Sequence, residues 1–76
     1  MRVDIEMERK RINSGTLRSV GYDARNRVVE IEFTNGSVIQ YTGVGEDLHR
    51  GLMGSASAAS YFKDRIEDDF PSRRIR

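Results

Sequence analysis

Apolar and polar positions alternate most clearly between Leu17 and Tyr41. Val29, Ile31 and Phe33 alternate with Glu30 and Glu32, the period of two expected of a strand buried on one face. Upstream, LRSVGYD (17–23) reads as a strand with Val20 and Tyr22 on one side. ARNR lies between the two strands as a turn, in which Asn26 tolerates positive φ. Asn35-Gly36 closes the second strand and predicts a type I′ hairpin, because both residue types accept the positive φ it demands. Ser37 to Tyr41 is then the third strand. Two successive hairpins make a three-stranded antiparallel β-meander.

After Tyr41 the period lengthens. Glu46 and Asp47 place acid in a first helical turn, where it suits the positive end of the macrodipole. Leu48 and Leu52 follow four apart on one face, and Gly54 is a natural stop. Ser57 suits the N-cap of a second helix running from Ala58 to Phe70. Its apolar stripe is Phe62, Ile66 and Phe70, extended by Ala59. Pro71 ends it, since the residue before a proline disfavours the helical region, and SRRIR follows as a loose basic tail. Strands first and helices after predict an α+β fold, both short α-helices packed on the face bearing Val29, Ile31 and Phe33.

Residues 1–12 carry no clean period. Val3, Ile5 and Met7 alternate with charged residues, which suits a short strand or a frayed arm. Residues 13–76 form the single domain. With 76 residues, 37% apolar and 33% charged, the core must be small, so a homo-oligomer is one expectation. The chain has no cysteine, which removes disulfides and most structural zinc geometries. No stretch approaches the ~18 apolar residues of a membrane span, and the charged N-terminus lacks the apolar segment of a signal peptide. The expected location is the cytoplasm.

SGTLRSVGYDARNRVVEIEFTNGSVIQYTGV, followed by LHRGLMGSASAASYFKDRI, resembles the KTSC family, small bacterial domains also found at the C-terminus of some lysyl-tRNA synthetases. Gly21-Tyr22-Asp23, Phe33, Gly36, Tyr41, Gly43-Val44, Ser57, Tyr61-Phe62 and Ile66 fall where the family has them. Ile39 stands where the family has the first tyrosine of Tyr-x-Tyr, Gly45 replaces a proline, Ala59 a glycine and Lys63 an asparagine. RNA binding has been suggested for the family, and the resemblance carries that suggestion to this chain.

The net charge is only +1, too balanced for strong non-specific nucleic-acid binding, but the basic residues are clustered. Arg9, Lys10 and Arg11, with Arg18, Arg73 and Arg74, are candidate phosphate contacts; the alternative is solvated chain ends. Tyr41 and Tyr61 are candidate stacking surfaces for unpaired bases; the alternative for Tyr41 is a place in the core, as for most aromatics of small domains. Asp64, Glu67, Asp68 and Asp69 include i, i+3 and i, i+4 pairs that could take a divalent cation, but with Lys63 and Arg65 interleaved they read as a solvated helix face. His49, the single histidine, has no nucleophile or orienting carboxylate in a recognisable context and reads as the rim of the core. Neither a catalytic constellation nor a cofactor or metal motif emerges. The expected function is a small non-catalytic accessory module binding RNA. The rival is a domain that binds another protein or itself, motivated by Met7, Val28 and Val38 as apolar residues that one helical layer leaves uncovered.

Overall fold

The computed structural model describes residues 9–76; Val3, Ile5 and Met7 lie outside that range. The chain runs β1 (Arg9–Ser14), β2 (Leu17–Asp23), β3 (Val28–Phe33), β4 (Val38–Thr42), α1 (Glu46–Gly54), α2 (Ala58–Arg65) and β5 (Ser72–Arg74). The strands form one five-stranded sheet in sequence order, and every adjacent pair is antiparallel. The α+β class holds, but the three-stranded meander is corrected to five strands, one more at each edge. β1 lies partly in the expected arm, since residues 9–12 belong to it, and the expected loose tail contains β5.

The turns differ in detail. In the β2–β3 turn the left-handed residue is Arg27 (φ 56°), not Asn26. Asp23 organises this turn by accepting from the backbone N–H groups of Arg25 and Asn26 and from Asn26 Nδ2. At Asn35-Gly36 only the glycine has positive φ (92°), so the hairpin is not type I′. Phe33 N–H donates to Ser37 O and Gly36 N–H to Phe33 O, a three-residue loop closed by a left-handed glycine. Asn35 acts through its side chain instead, accepting from the Ser37 N–H and hydroxyl.

Val29 and Ile31, with Leu17, Val20 and Tyr41, supply the inner face of the sheet, on which Val44, Leu52, Ala58, Phe62 and Ile66 pack. α1 continues through Gly54 and ends at Ser55, whose backbone is extended; Gly54 is therefore inside the helix rather than its stop. α2 begins as expected, with Ser57 Oγ accepting from Ser60 N–H. A further free donor of its first turn, Ala59 N–H, is taken by Ser14 Oγ of β1 at 3.1 Å, which satisfies a group that helix geometry leaves orphaned.

α2 stops at Arg65, not Phe70. Ile66 leaves helical geometry at φ −120°. Glu67, Asp68 and Asp69 would otherwise crowd negative charge at the helix's negative end, which the macrodipole disfavours. The chain instead turns through residues 66–69, with Asp69 N–H on Ile66 O, and delivers β5 to β4. Phe70 is half-buried and packs against the core. Among the described residues no helix is long and apolar enough to cross a membrane.

Candidate nucleic-acid interface

Register sorts the basic residues by face. Arg9 pairs with Gly21 and Arg11 with Ser19, on the face away from the helices, whereas Lys10 pairs with the core residue Val20 and lies on the helix side. Two cross-strand rows follow on the outer face. Arg9, Gly21, Glu30, Gln40 and Arg73 form one; Arg11, Ser19, Glu32 and Val38 form the other. The clusters at Arg9–Arg11 and Arg73–Arg74 therefore stand at opposite edges, four strand spacings or ~19 Å apart. The structure does not bring them together.

Glutamates occupy the middle of both rows. Glu30, 8% exposed, accepts from Arg9 Nη1 at 2.7 Å and from Gln40 Nε2 at 3.0 Å. Arg9 is thus committed to an internal ion pair. Glu32 accepts from Ser19 Oγ at 2.8 Å; this bond, then the charges of Arg9, Arg18 and Arg76, holds its carboxyl below the usual range. Arg18 also reaches Thr34 O at 3.4 Å. Arg11, Arg73 and Arg74 are exposed. Val38 is buried at 1% exposure and Val28 is half-buried, so the outer face offers no apolar patch at Val38.

Tyr41 is corrected as a stacking surface. It is 4% exposed and packs edge-on against Phe62 with ring centroids 5.2 Å apart; burial raises its phenol pKa. It sits opposite Val29 on the inner face, where the helices cover it. Tyr61 is half-buried, with the Arg65 guanidinium 5.7 Å from its ring centroid. Its hydroxyl occupies the space in which Gly51 would carry a Cβ, so α1 and α2 meet there.

The aromatic feature that sequence reasoning missed is a stacked pair. Tyr22 and His49 lie with ring centroids 4.3 Å apart and planes 9° from parallel. Tyr22 Oη donates to Val44 O at 2.7 Å, and burial, then the charge of Glu46, raises its pKa. Burial pushes the His49 imidazole below its ordinary pKa, against the opposing effect of Glu46. The two rings divide neighbouring clefts. Tyr22 walls one with Arg27, Glu46 and Asp47; His49 walls the other with Lys10, Glu46, Arg50 and Met53. Glu46, His49 and Met53 at i, i+3, i+7 formed the available signal, a helix face beside the Leu48–Leu52 stripe. Its partner came from a strand 27 residues away, which no local pattern reveals. Among the described residues no group of three or more His, Asp or Glu is placed to hold a metal ion.

A five-stranded antiparallel meander with two helices on one face, tied together by the Tyr22–Val44 hydrogen bond, defines a small α+β sheet-and-helix-pair domain. Residues 13–70 match the KTSC domain, and the chain belongs to that family. A KTSC domain protein from Yersinia pestis, known from its crystal structure, is similar at TM-score 0.86 and 36% identity over 93% of this chain and 100% of that one. An uncharacterized protein of Stutzerimonas stutzeri (strain A1501) is 32% identical over 56 residues, 74% of this chain and 79% of its own. The shared motif residues have structural work here. Gly21 is buried between Arg9 and Glu30 in its row, Tyr22 bonds Val44, and Asp23 holds the turn.

Proposed function

We propose that this domain is a non-catalytic accessory module that binds RNA along its β1 edge. The supporting observation is the alternation of Arg9-Lys10-Arg11 on an edge strand. Arg11 points to the outer face and Lys10 to the helix side, so a backbone tracking the edge meets positive charge on both flanks. Arg9 is neutralised by Glu30, which leaves Lys10 and Arg11 as the principal contacts of this edge. Arg73 and Arg74 form a separate patch, which reduces the cooperating contacts from about five to two or three and implies moderate, salt-sensitive affinity. On this reading the module works in the cytoplasm.

Fluorescence anisotropy with labelled single-stranded and hairpin RNA, titrated from ~50 mM salt upward, tests the reading. Lys10→Ala and Arg11→Ala each weaken binding and lower the salt slope by about one, while Arg73→Ala and Arg74→Ala have smaller effects. Absence of binding at the lowest salt overturns it. A second reading, a protein partner on the β5 edge, has one observation in its favour: Ile75, just beyond β5, is 48% exposed. Self-pairing of edges is opposed by the arginines on both edge strands, a charge pattern that blocks such association.

A further inference from the structure

We infer that the cleft between β1 and α1 is a stacking site for an unpaired nucleobase, with His49 as the platform and Lys10 and Arg50 as contacts to the flanking phosphates. The inference rests on the RNA reading above and names the part of the molecule that would take a base.

The site is assembled from two elements. Lys10 reaches the cleft because it is the one member of the basic run on the helix side of the sheet, opposite Val20. α1 supplies Glu46, His49, Arg50 and Met53, which with Lys10 line an open cleft of about 540 Å³. His49 is half-buried and is fixed from behind by Tyr22, itself anchored to Val44. A platform whose orientation is already set loses little freedom when a base joins the stack. Burial lowers the imidazole's pKa against the opposing charge of Glu46, which favours the neutral ring, whose π-face stacks without the cost of stripping water from a cation.

Charge sorts the ends of the site. Lys10 and Arg50 are exposed cations. The Arg50–Asp47 ion pair is long, 3.6 Å, with both side chains open to solvent, so it competes weakly with a phosphate. Glu46, on the same cleft, is an acceptor suited to the exocyclic amino group of adenine, cytosine or guanine. Of the two tyrosines that the sequence offered as stacking surfaces, Tyr41 is in the core and Tyr61 is packed against Gly51. Duplex RNA hides its bases in the stack and lacks what this cleft takes, so the ligand class is single-stranded RNA or a loop.

The test uses a 12-nucleotide single-stranded RNA carrying one 2-aminopurine, and the same strand in a blunt duplex. The protein has no tryptophan, so the probe is read without interference. Wild type is expected to prefer the single strand and to change 2-aminopurine emission on binding. His49→Ala loses roughly tenfold in affinity and the emission change, with the salt slope intact. His49→Phe, which keeps a ring on Tyr22, retains both, and circular dichroism establishes that each variant is folded. If wild type binds RNA but folded His49→Ala binds equally, or the duplex binds as well as the single strand, the stacking inference falls and the RNA reading stands. If wild type binds neither RNA, the reading itself falls and takes the inference with it.

Discussion

Gly15, in the turn between β1 and β2, faces Ala59 of α2 so closely that a Cβ built on it would stand 2.9 Å from the Ala59 Cβ. Gly15 also has φ of +55°, a conformation costing an L-residue ~1–2 kcal/mol. The family pattern places glycine at the Ala59 position, and here the methyl is on the helix and the glycine is opposite it. Gly15→Ala is therefore expected to destabilise by about 2 kcal/mol or more, from φ strain plus the collision. Ala59→Gly alone costs about 1 kcal/mol of helix propensity. In the Ala59→Gly background the Gly15→Ala penalty shrinks to the φ term. Urea midpoints of the four proteins measure the coupling; equal Gly15→Ala penalties in both backgrounds would show that the two residues do not compete for space.

The Tyr22–His49 stack predicts a pH dependence. Unfolded, His49 titrates near ~6.5; folded, burial holds it lower. The neutral ring's contribution is complete above about pH 6.5 and is lost as pH falls through the folded value, because the unfolded chain takes up the proton first. Asp23 is also held low, chiefly by the Asn26 side chain, as is Glu32 by Ser19. Their contributions fade only around pH ~4 and below. His49→Phe keeps a ring against Tyr22 and should flatten stability as pH falls below about 6.5 while leaving the acid limb. Denaturant midpoints across that range check it, and an unchanged slope in the variant would assign the dependence elsewhere.

β2 and β3 were legible because burial on one side writes alternation into Leu17–Phe33, and Ser57 because a cap needs a particular side chain. β1 and β5 were not. An edge strand gains its place through backbone hydrogen bonds, which any residue can make, and RKRINS and SRR bear almost no apolar signal beyond Ile12. The end of α2 is hidden from the sequence for a related reason. Phe70 continues the i, i+4 stripe on paper, but it reaches the core from a turn, and the stripe cannot tell the two apart. At the candidate site, the basic run was visible and its division between two sheet faces was not. That division exists only once β1 pairs with β2 in a definite register.

Two tyrosines on the same sheet face predict opposite responses to loss of a hydroxyl. Tyr22 Oη has a single acceptor, Val44 O, at 2.7 Å, so Tyr22→Phe strips that carbonyl of a partner beside the buried Val44 side chain and should cost ~1–3 kcal/mol. Tyr41 contributes its ring to Phe62, and among the described residues no hydrogen bond from its hydroxyl is present. Tyr41→Phe is expected within ~0.5 kcal/mol of wild type. Thermal unfolding of the pair decides it; a Tyr41→Phe loss matching that of Tyr22→Phe would mean that the Tyr41 hydroxyl has a structural role.

Arg9 and Arg11 are two residues apart on one strand, share one face and differ in what removing them exposes. The Arg9–Glu30 side chains are 27% and 11% accessible, and Glu30 without Arg9 keeps only Gln40. Arg9→Met is expected to destabilise by ~1–3 kcal/mol, the cost of an under-satisfied buried acceptor. Arg11→Met, at an exposed position, should stay within ~0.5 kcal/mol. Replacing both partners, Arg9→Met with Glu30→Met, should recover most of the loss, since an apolar pair leaves no charge stranded. A double-mutant cycle by denaturant titration gives the coupling, and simple additivity would show that Glu30 is not stranded by removal of Arg9. Comparing Arg9→Met with Arg11→Met separates stability from the RNA contact proposed for the β1 edge. A binding defect in Arg9→Met mixes the two effects, whereas one in Arg11→Met reports contact with RNA.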